Sequence, residues 1–306
     1  KIGSLVFPAK LFGDIIRLMP DDIISVTSDE KNIVTIECGD IKYNIVGTAA
    51  DEYPAMPSIN EDKILHIEQT KLASMIRETI FAVSESDVRP IHTGSKFDIQ
   101  GNELTVVSVD GYRLAIRKEN LLDNACGDIG FVVPGSALRE VEKICSDNGY
   151  DATITVGEKH ITFAMGGTTL ITRRLEGEFL DYKKAVPRNN PVTLTVNKKD
   201  LQSSVERVSL IIDDRIKTPV KCVFNENKAK FTTNTSIGTA TDVCKVDGNG
   251  NDLEIGFNNR YLLDAIKAAP IDNIKLELNN GVSPCVIVPA EGEETFLYMV
   301  LPVRLR

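Results

Sequence analysis

Pro8-Ala-Lys-Leu-Phe-Gly-Asp-Ile-Ile-Arg-Leu-Met19, Pro134-Gly-Ser-Ala-Leu-Arg-Glu-Val-Glu-Lys-Ile144 and Asn258-Asn-Arg-Tyr-Leu-Leu-Asp-Ala-Ile-Lys-Ala-Ala269 share one plan. Each sets apolar residues at i, i+3 or i+4, and i+7, the spacing of a short amphipathic helix. Pro8 and Pro134 suit the first turn, where a missing N–H is harmless. The three starts lie 126 and 124 residues apart, so the chain is read as a repeat before anything else.

Working outward, each helix is followed by alternating strand-like segments that end near a proline: Ile23 to Pro57, Ala152 to Pro187 and Ile274 to Pro302. In the middle string Ala152, Ile154 and Val156 share one face, followed after a Gly157-Glu158 turn by Ile161, Phe163 and Met165. A second helix type, Gln69–Val83 and Lys198–Leu210, precedes the first by 65 and 60 residues. Between the types, Lys96–Ile99 and Glu103–Val109 flank Gln100-Gly101-Asn102, and Lys221–Phe224 and Ala229–Thr233 flank Asn225–Lys228, both read as hairpins. The unit is strand, helix, several strands, helix, several strands, which is an α+β plan. Two units are whole. Residues 1–60 hold only the second half of one, 61–188 and 189–306 the others, and with Lys1 in place of Met the arithmetic leads to the expectation of roughly 60 residues before Lys1.

Composition narrows the chemistry. Hydrophobic residues make up 42% of the 306, with no tryptophan, and no apolar run approaches a membrane span. The start carries no basic, apolar leader. Six cysteines (38, 126, 145, 222, 244 and 285) contain no C-x-x-C, which favours buried thiols in a reducing cytoplasm over zinc or disulfides. His66, His92 and His160 are too scattered to build a catalytic or metal site together. Asp247-Gly-Asn-Gly-Asn-Asp252 lacks the Gly and Glu of a calcium loop and reads as a turn. Gly166-Gly167 reads as a hairpin turn, and no phosphate loop, nucleophile elbow or zinc-protease motif occurs. The expectation is no catalytic residue, no metal and no cofactor.

The net charge of −9 argues against a polyanion partner only as an average. The helical segments carry eleven cations, Lys10, Arg17, Lys71, Arg77, Arg139, Lys143, Lys198, Lys199, Arg207, Arg260 and Lys267, against seven acids, so they stand at +4 and the rest at −13. Helices sharing a surface would make a basic face on an acidic protein, directed at phosphate and blind to sequence. The plain alternative is a set of solvated helix faces.

Two further stretches stand out. Val107–Ala115 sets an Asp110-Gly111 turn inside a strand-like run. Phe296–Arg306 stays apolar almost to its end, which reads as an edge strand to Val300 and then a ledge of Leu301, Pro302, Val303 and Leu305 that a partner covers.

Taken together, Pro8-Ala-Lys, Asp87-Val-Arg-Pro-Ile91, Val109-Asp-Gly-Tyr-Arg-Leu-Ala115, Val132-Val-Pro, Glu178-Phe-Leu-Asp-Tyr182, Glu254-Ile-Gly-Phe-Asn258 with Tyr261, and Met299-Val-Leu-Pro-Val-Arg-Leu305 resemble the bacterial sliding clamps, the beta subunits of DNA polymerase III. The resemblance runs the length of the chain. It implies repeated clamp domains, each with two helices on antiparallel sheets, forming part of a ring. Two chains close head to tail, with Tyr43 and Ile45 of one meeting Leu210 and Ile211 of the other. It implies a non-catalytic, cytoplasmic processivity factor that encircles double-stranded DNA, the eleven helix cations facing the hole.

The resemblance also implies that replicative polymerase, clamp loader and repair proteins dock short hydrophobic peptides in one groove. Position by position that groove takes Val109, Gly111, Tyr112, Arg113, Leu114, Leu180, Lys184, Ala185, Ile216, Asn258, Tyr261, Val282, Pro284, Met299, Leu301, Pro302, Val303 and Arg304. Val109, Tyr112, Leu180 and Lys184 depart from the commonest Thr, His, Pro and Arg. The competing readings are a repeat-built interaction scaffold that never touches DNA and, for want of a convergent polar pocket, more distantly an enzyme on the same scaffold.

Overall fold

The computed structural model describes residues 3–55, 63–124, 127–147, 149–213 and 218–305. The chain divides into two compact units, residues 1–58 and 59–306.

In the first unit helix α1 (Ala9–Leu18) buries Ile15 against Val34 and Ile36, with Phe7, Phe12 and Ile45 around them. Alternation makes the strand Ile33–Cys38 amphipathic, so Val34, Ile36 and Cys38 point inward and the residues between them outward. It is the middle strand of a three-stranded antiparallel sheet flanked by Ser25–Ser28 and Ile41–Val46. Pro8 stands one position before the first helical residue, and its carbonyl accepts from Phe12 N at 3.1 Å. Pro134 does the same job ahead of α3, so both prolines are caps and not first-turn residues.

The second unit carries the repeat twice. Strand Ile64–Glu68, helix α2 (Gln69–Arg77), strands between 94 and 134, helix α3 (Gly135–Ile144) and three strands between 151 and 173 make one copy. After a short helix α4 (Tyr182–Ala185), strand Val192–Asn197, helix α5 (Lys198–Ser209), strands Val220–Thr235 and Gly238–Phe257, helix α6 (Asn259–Ala268) and three strands between 273 and 300 make the other. In each copy the two helices pack on the inner faces of the sheets, giving one core around Leu72, Phe97 and Phe163 and another around Val205, Phe231 and Ile266.

One antiparallel sheet of ten strands spans both copies. Its joint is the last strand, Phe296–Val300, which pairs with Arg113–Asn120 on one side and Cys285–Pro289 on the other. The edge-strand expectation for this segment is therefore corrected. All five of its residues are buried, and an interior position satisfies both of their backbone edges.

Two turns expected from sequence are bulges. Asn225–Lys228 does not reverse the chain; it interrupts one sixteen-residue strand, Val220–Thr235. Opposite it, Asp247–Asp252 interrupts Gly238–Phe257, with Glu226 facing Asn249 and register shifts on both sides. Asn227, Asn251 and Asp252 take left-handed backbone angles, which short polar side chains tolerate. Gly250 is required there, because a Cβ would lie 2.3 Å from Phe224 Cβ. The helix expected over Gln69–Val83 ends at Arg77, where the buried Thr79 hydroxyl donates back to Met75 O at 2.7 Å. A 3-10 turn over Ile80–Ala82 follows.

The hairpins at Gly101-Asn102, Gly157–Lys159 and Gly166-Gly167 form as expected. Cys38, Cys222, Cys244 and Cys285 are buried and Cys145 is partly so, while Cys126 lies outside the described residues. No helix among the described residues is long and apolar enough to cross a membrane.

Candidate functional site

The Asp110-Gly111 turn is built by its own side chain. Asp110 Oδ1 accepts from Tyr112 N at 2.9 Å and Arg113 N at 3.0 Å, and Gly111 takes φ +93°, which suits glycine. The turn aims Arg113 into the protein, where only 6% of the residue is exposed. A buried guanidinium needs counter-charge, and two carboxylates supply it. Its Nε donates to Asp110 Oδ2 at 3.0 Å and its Nη1 to Asp264 Oδ2 on α6 at 2.5 Å. The guanidinium also lies 4.6 Å from the ring centroid of Tyr261 and 5.4 Å from that of Phe81.

Tyr112 stacks with Tyr261, centroids 5.7 Å apart and planes 22° from parallel, while remaining 60% exposed. Tyr261 is fixed from below by Asn258, which caps α6 by accepting from Tyr261 N at 3.1 Å. Burial, then the nearby Asp110 charge, push the Tyr261 hydroxyl above its ordinary pKa of 10.0.

The chain end closes on this cluster. Leu301 N donates to Tyr112 O at 2.9 Å and Val303 N to Gly256 O at 2.8 Å. Leu305 lies on Gly256, where a Cβ would meet its Cδ2 at 2.7 Å. Of the ledge, Leu301, Pro302 and Leu305 are half-buried by the protein's own strands and Val303 stays 38% exposed. Below, Val109, Leu114 and Met299 belong to one buried apolar layer on the outer face of the ten-stranded sheet. Phe179, Tyr182 and Val186 cover that layer, and the Tyr182 hydroxyl is anchored to Asp98 Oδ2 at 2.6 Å.

Gly111, Tyr112, Arg113, Asn258, Tyr261 and Leu301 thus gather around one point, with Val109, Leu114 and Met299 as the layer beneath. Others lie apart. Lys184 is exposed and pairs with Asp181 at 2.7 Å, and Ala185 sits beside it on α4. Leu180 opens on a cavity of about 510 Å³ that Arg89, His92 and Phe179 also line. Val282 is exposed and Pro284 half-buried in the loop before Cys285–Pro289. Arg304 is exposed, and Ile216 lies outside the described residues. Sequence reasoning missed Asp264, Phe81 and Tyr182 as members. Asp264 left a trace, three residues after Tyr261 on the same helix face, and Tyr182 closes the motif Glu178-Phe-Leu-Asp-Tyr182, whereas Phe81 left none.

The cations form two helix pairs and one single helix. α2 packs on α3 and α5 on α6. Arg77 bridges to Glu142 at 2.9 Å and Lys267 to Glu206 at 2.9 Å, tying each pair together. Lys71 meets Glu68, Lys143 meets Glu140, Arg17 meets Asp14 and Arg207 meets Asp242. Arg260 lies 3.5 Å from Glu85 and 4.0 Å from Asp264. Lys198 is half-buried and donates to Ala269 O at 2.7 Å. Lys10, Arg139 and Lys199 are exposed and make no ion pair among the described residues.

Tyr43, 42% exposed, and Ile45, half-buried, lie on the edge strand Ile41–Val46 of the first unit. In the second unit Leu210 is 84% exposed at the end of α5, and with Ile211 it borders a cavity of about 490 Å³ that Ile237 also lines. Among the described residues no three His, Cys, Asp or Glu side chains gather as a metal site requires.

Comparison with known proteins agrees along the whole chain. The family models for the DNA polymerase III beta subunit match as N-terminal domain over residues 1–57, central domain over 66–181 and C-terminal domain over 183–304. The beta sliding clamp of Staphylococcus aureus is 31% identical over 306 residues, 99% of this chain and 80% of its own length. That of Staphylococcus epidermidis is 32% identical over 304 residues, again 99% and 80%. The crystal structure of the Bacillus subtilis sliding clamp superposes with TM-score 0.93 at 29% identity, covering 99% of this chain and 80% of that one. The Bartonella birtlesii clamp, solved bound to griselimycin, gives TM-score 0.92 at 30% identity, covering 100% and 83%. With all three domain models matched in order and relatives above 30% identity across its length, the chain belongs to the family of DNA polymerase III beta subunits, the beta sliding clamps.

Proposed function

We propose that this chain is a processivity clamp that encircles duplex DNA and tethers the replicative polymerase, clamp loader and repair proteins through short hydrophobic peptides. The observation that carries the reading is the stacked Tyr112–Tyr261 pair beside Leu301, above the buried layer of Val109, Leu114 and Met299. A hydrophobic peptide needs such an apolar floor with a few fixed polar groups at its rim. Leu180, Lys184, Ala185, Ile216, Val282, Pro284, Pro302, Val303 and Arg304 extend the groove in this reading.

The clamp domains are residues 1–60, the second half of a first domain on the repeat spacing, then 61–188 and 189–306. Head-to-tail pairing sets Tyr43 and Ile45 of one copy against Leu210 and Ile211 of another. The eleven helix cations face the DNA, with Lys10, Arg139 and Lys199 the least committed to protein carboxylates. A closed ring holds DNA by topology, so weak phosphate contacts suffice and permit sliding. The tethered polymerase gains effective concentration at the primer end and the clamp performs no chemistry. The setting is the cytoplasm.

The test is a fluorescent peptide of the Gln-Leu-x-Leu-Phe type titrated into the chain and followed by anisotropy. Saturable binding that Leu301→Ala with Pro302→Ala removes supports the groove; no binding by the folded chain refutes it. Because eight of the eleven cations already meet protein acceptors, the scaffold reading is tested separately. Lys198→Glu, Lys199→Glu and Arg207→Glu together should abolish retention on circular DNA, and unchanged retention would favour a scaffold.

A further inference from the structure

The carboxylate of Asp264 is shared. On one side it accepts from Arg113 Nη1 at 2.5 Å; on the other Arg260 Nε lies 4.0 Å from the same oxygen, Oδ2. Arg113 belongs to the turn beside the peptide groove, and Arg260 to the basic face of α6. Asp110, the other anchor of Arg113, is itself held by two backbone N–H groups of its turn. It therefore fixes the guanidinium only relative to the turn. Asp264 alone of the two carboxylates stands on the helix that carries Tyr261.

We infer that Asp264 is a positioning residue for the peptide groove, one that holds Arg113 against Tyr261 and so sets the Tyr112–Tyr261 stack before any peptide arrives. The inference rests on the groove reading above. The physical reason is local. Without the Asp264 charge, Arg113 keeps one carboxylate on its own turn and loses its ion pair to α6, leaving only the weaker contact with the Tyr261 ring. Tyr112, exposed on its outer side and carried by that turn, is then held less firmly over Tyr261, which stays in place on α6. Arg260 competes for the same oxygen, so removing it leaves Asp264 wholly to Arg113.

The experiment compares Asp264→Asn, Asp264→Ser, Asp264→Glu and Arg260→Gln with the parent chain, using the same labelled peptide. Asp264→Asn and Asp264→Ser should weaken peptide binding about tenfold, the loss of one charge-assisted hydrogen bond. Asp264→Glu should recover to within about threefold of the parent, since the charge returns. Arg260→Gln should tighten binding about twofold.

A second readout needs no peptide. The chain has seven tyrosines and no tryptophan, so near-UV circular dichroism near the tyrosine band reports their packing. Asp264→Asn should diminish it with the melting transition intact, and Asp264→Glu should restore it. Equal affinity and an equal tyrosine spectrum in a folded Asp264→Asn or Asp264→Ser variant would overturn the inference. If neither variant folds, Arg260→Gln decides, and weaker binding there overturns it. Absence of peptide binding by the parent chain refutes the groove reading instead, and the tyrosine spectrum still tests the positioning of the stack.

Discussion

Met299 of the last strand lies directly opposite Leu114 of the strand Arg113–Asn120, and both belong to the same buried layer. One residue comes from the third repeat and the other from the second, so the packing that floors the groove also welds the two copies. Leu114 is 0% exposed. Replacing it with alanine should cost about 2–5 kcal/mol, the range for a buried leucine whose site cannot fully collapse. Urea unfolding checks this: the midpoint of residues 59–306 should fall with an unchanged slope.

Arg117 makes a second tie across the same joint, to Thr295, and is held in its own copy by Glu78. Arg117 Nε donates to Glu78 Oε2 at 2.7 Å and Nη1 to Thr295 O at 3.0 Å, both side chains being 10% exposed. Arg117→Met leaves the buried Glu78 carboxylate and the neighbouring Glu119 without their cation and should cost about 3–5 kcal/mol, whereas adding Glu78→Leu should recover most of that cost. Burial already lifts the Glu78 carboxyl above 4.5 even with Arg117 beside it. A carboxyl raised on folding contributes stability below its unfolded value and loses it as pH rises through the folded value. The Arg117→Met penalty should therefore be greater at about pH 8 than at about pH 5. Denaturant melts at the two values give the sign.

How much of this was legible from the residues depends on range. The helices were, because i, i+3, i+4 and i+7 spacing is local and each helix buries only one stripe. The bulges were not. Asn225–Lys228 and Asp247–Asp252 each have turn composition, and only their position opposite one another, Glu226 facing Asn249, turns two chain reversals into one paired irregularity. The groove was half legible. Asp110-Gly111 announced a turn, but Arg113 and Asp264 are 151 positions apart and no local pattern joins them. The charge tally survived poorly for a similar reason: Asp242 and Glu85, which neutralise Arg207 and Arg260, lie outside the helices.

The buried thiols should be inert. Burial pushes Cys285 up to about 12 and Cys244 up to about 11, and moves Cys222 further in the same direction. At about pH 8 such a thiol is thiolate at about one part in a thousand or less. Iodoacetamide followed by peptide mapping should leave Cys222, Cys244 and Cys285 unlabelled in the native chain and label them fully in denaturant. Labelling of any of the three without denaturant would contradict the packing around it.

Lys199 and Arg207 sit on one helix, yet among the described residues only Arg207 of the two is paired with a carboxylate, that of Asp242. In a closed clamp on duplex DNA, Lys199→Gln should reduce the slope of log affinity against log salt by about 0.9, one phosphate contact. Arg207→Gln should reduce it by less, because its charge is already offset. Equilibrium binding across a salt series distinguishes them, and equal changes would mean that the ion pair opens on DNA.

The central strand Phe296–Val300 has a mechanical consequence. It is laddered on both flanks by antiparallel neighbours and runs straight into Leu301 beside the groove. Tension along the chain end would load those ladders in shear, so their hydrogen bonds would have to yield together. A peel from a sheet edge breaks such bonds one after another. In the proposed groove, a partner tethered beside Leu301 would pull on a segment attached in this shear geometry.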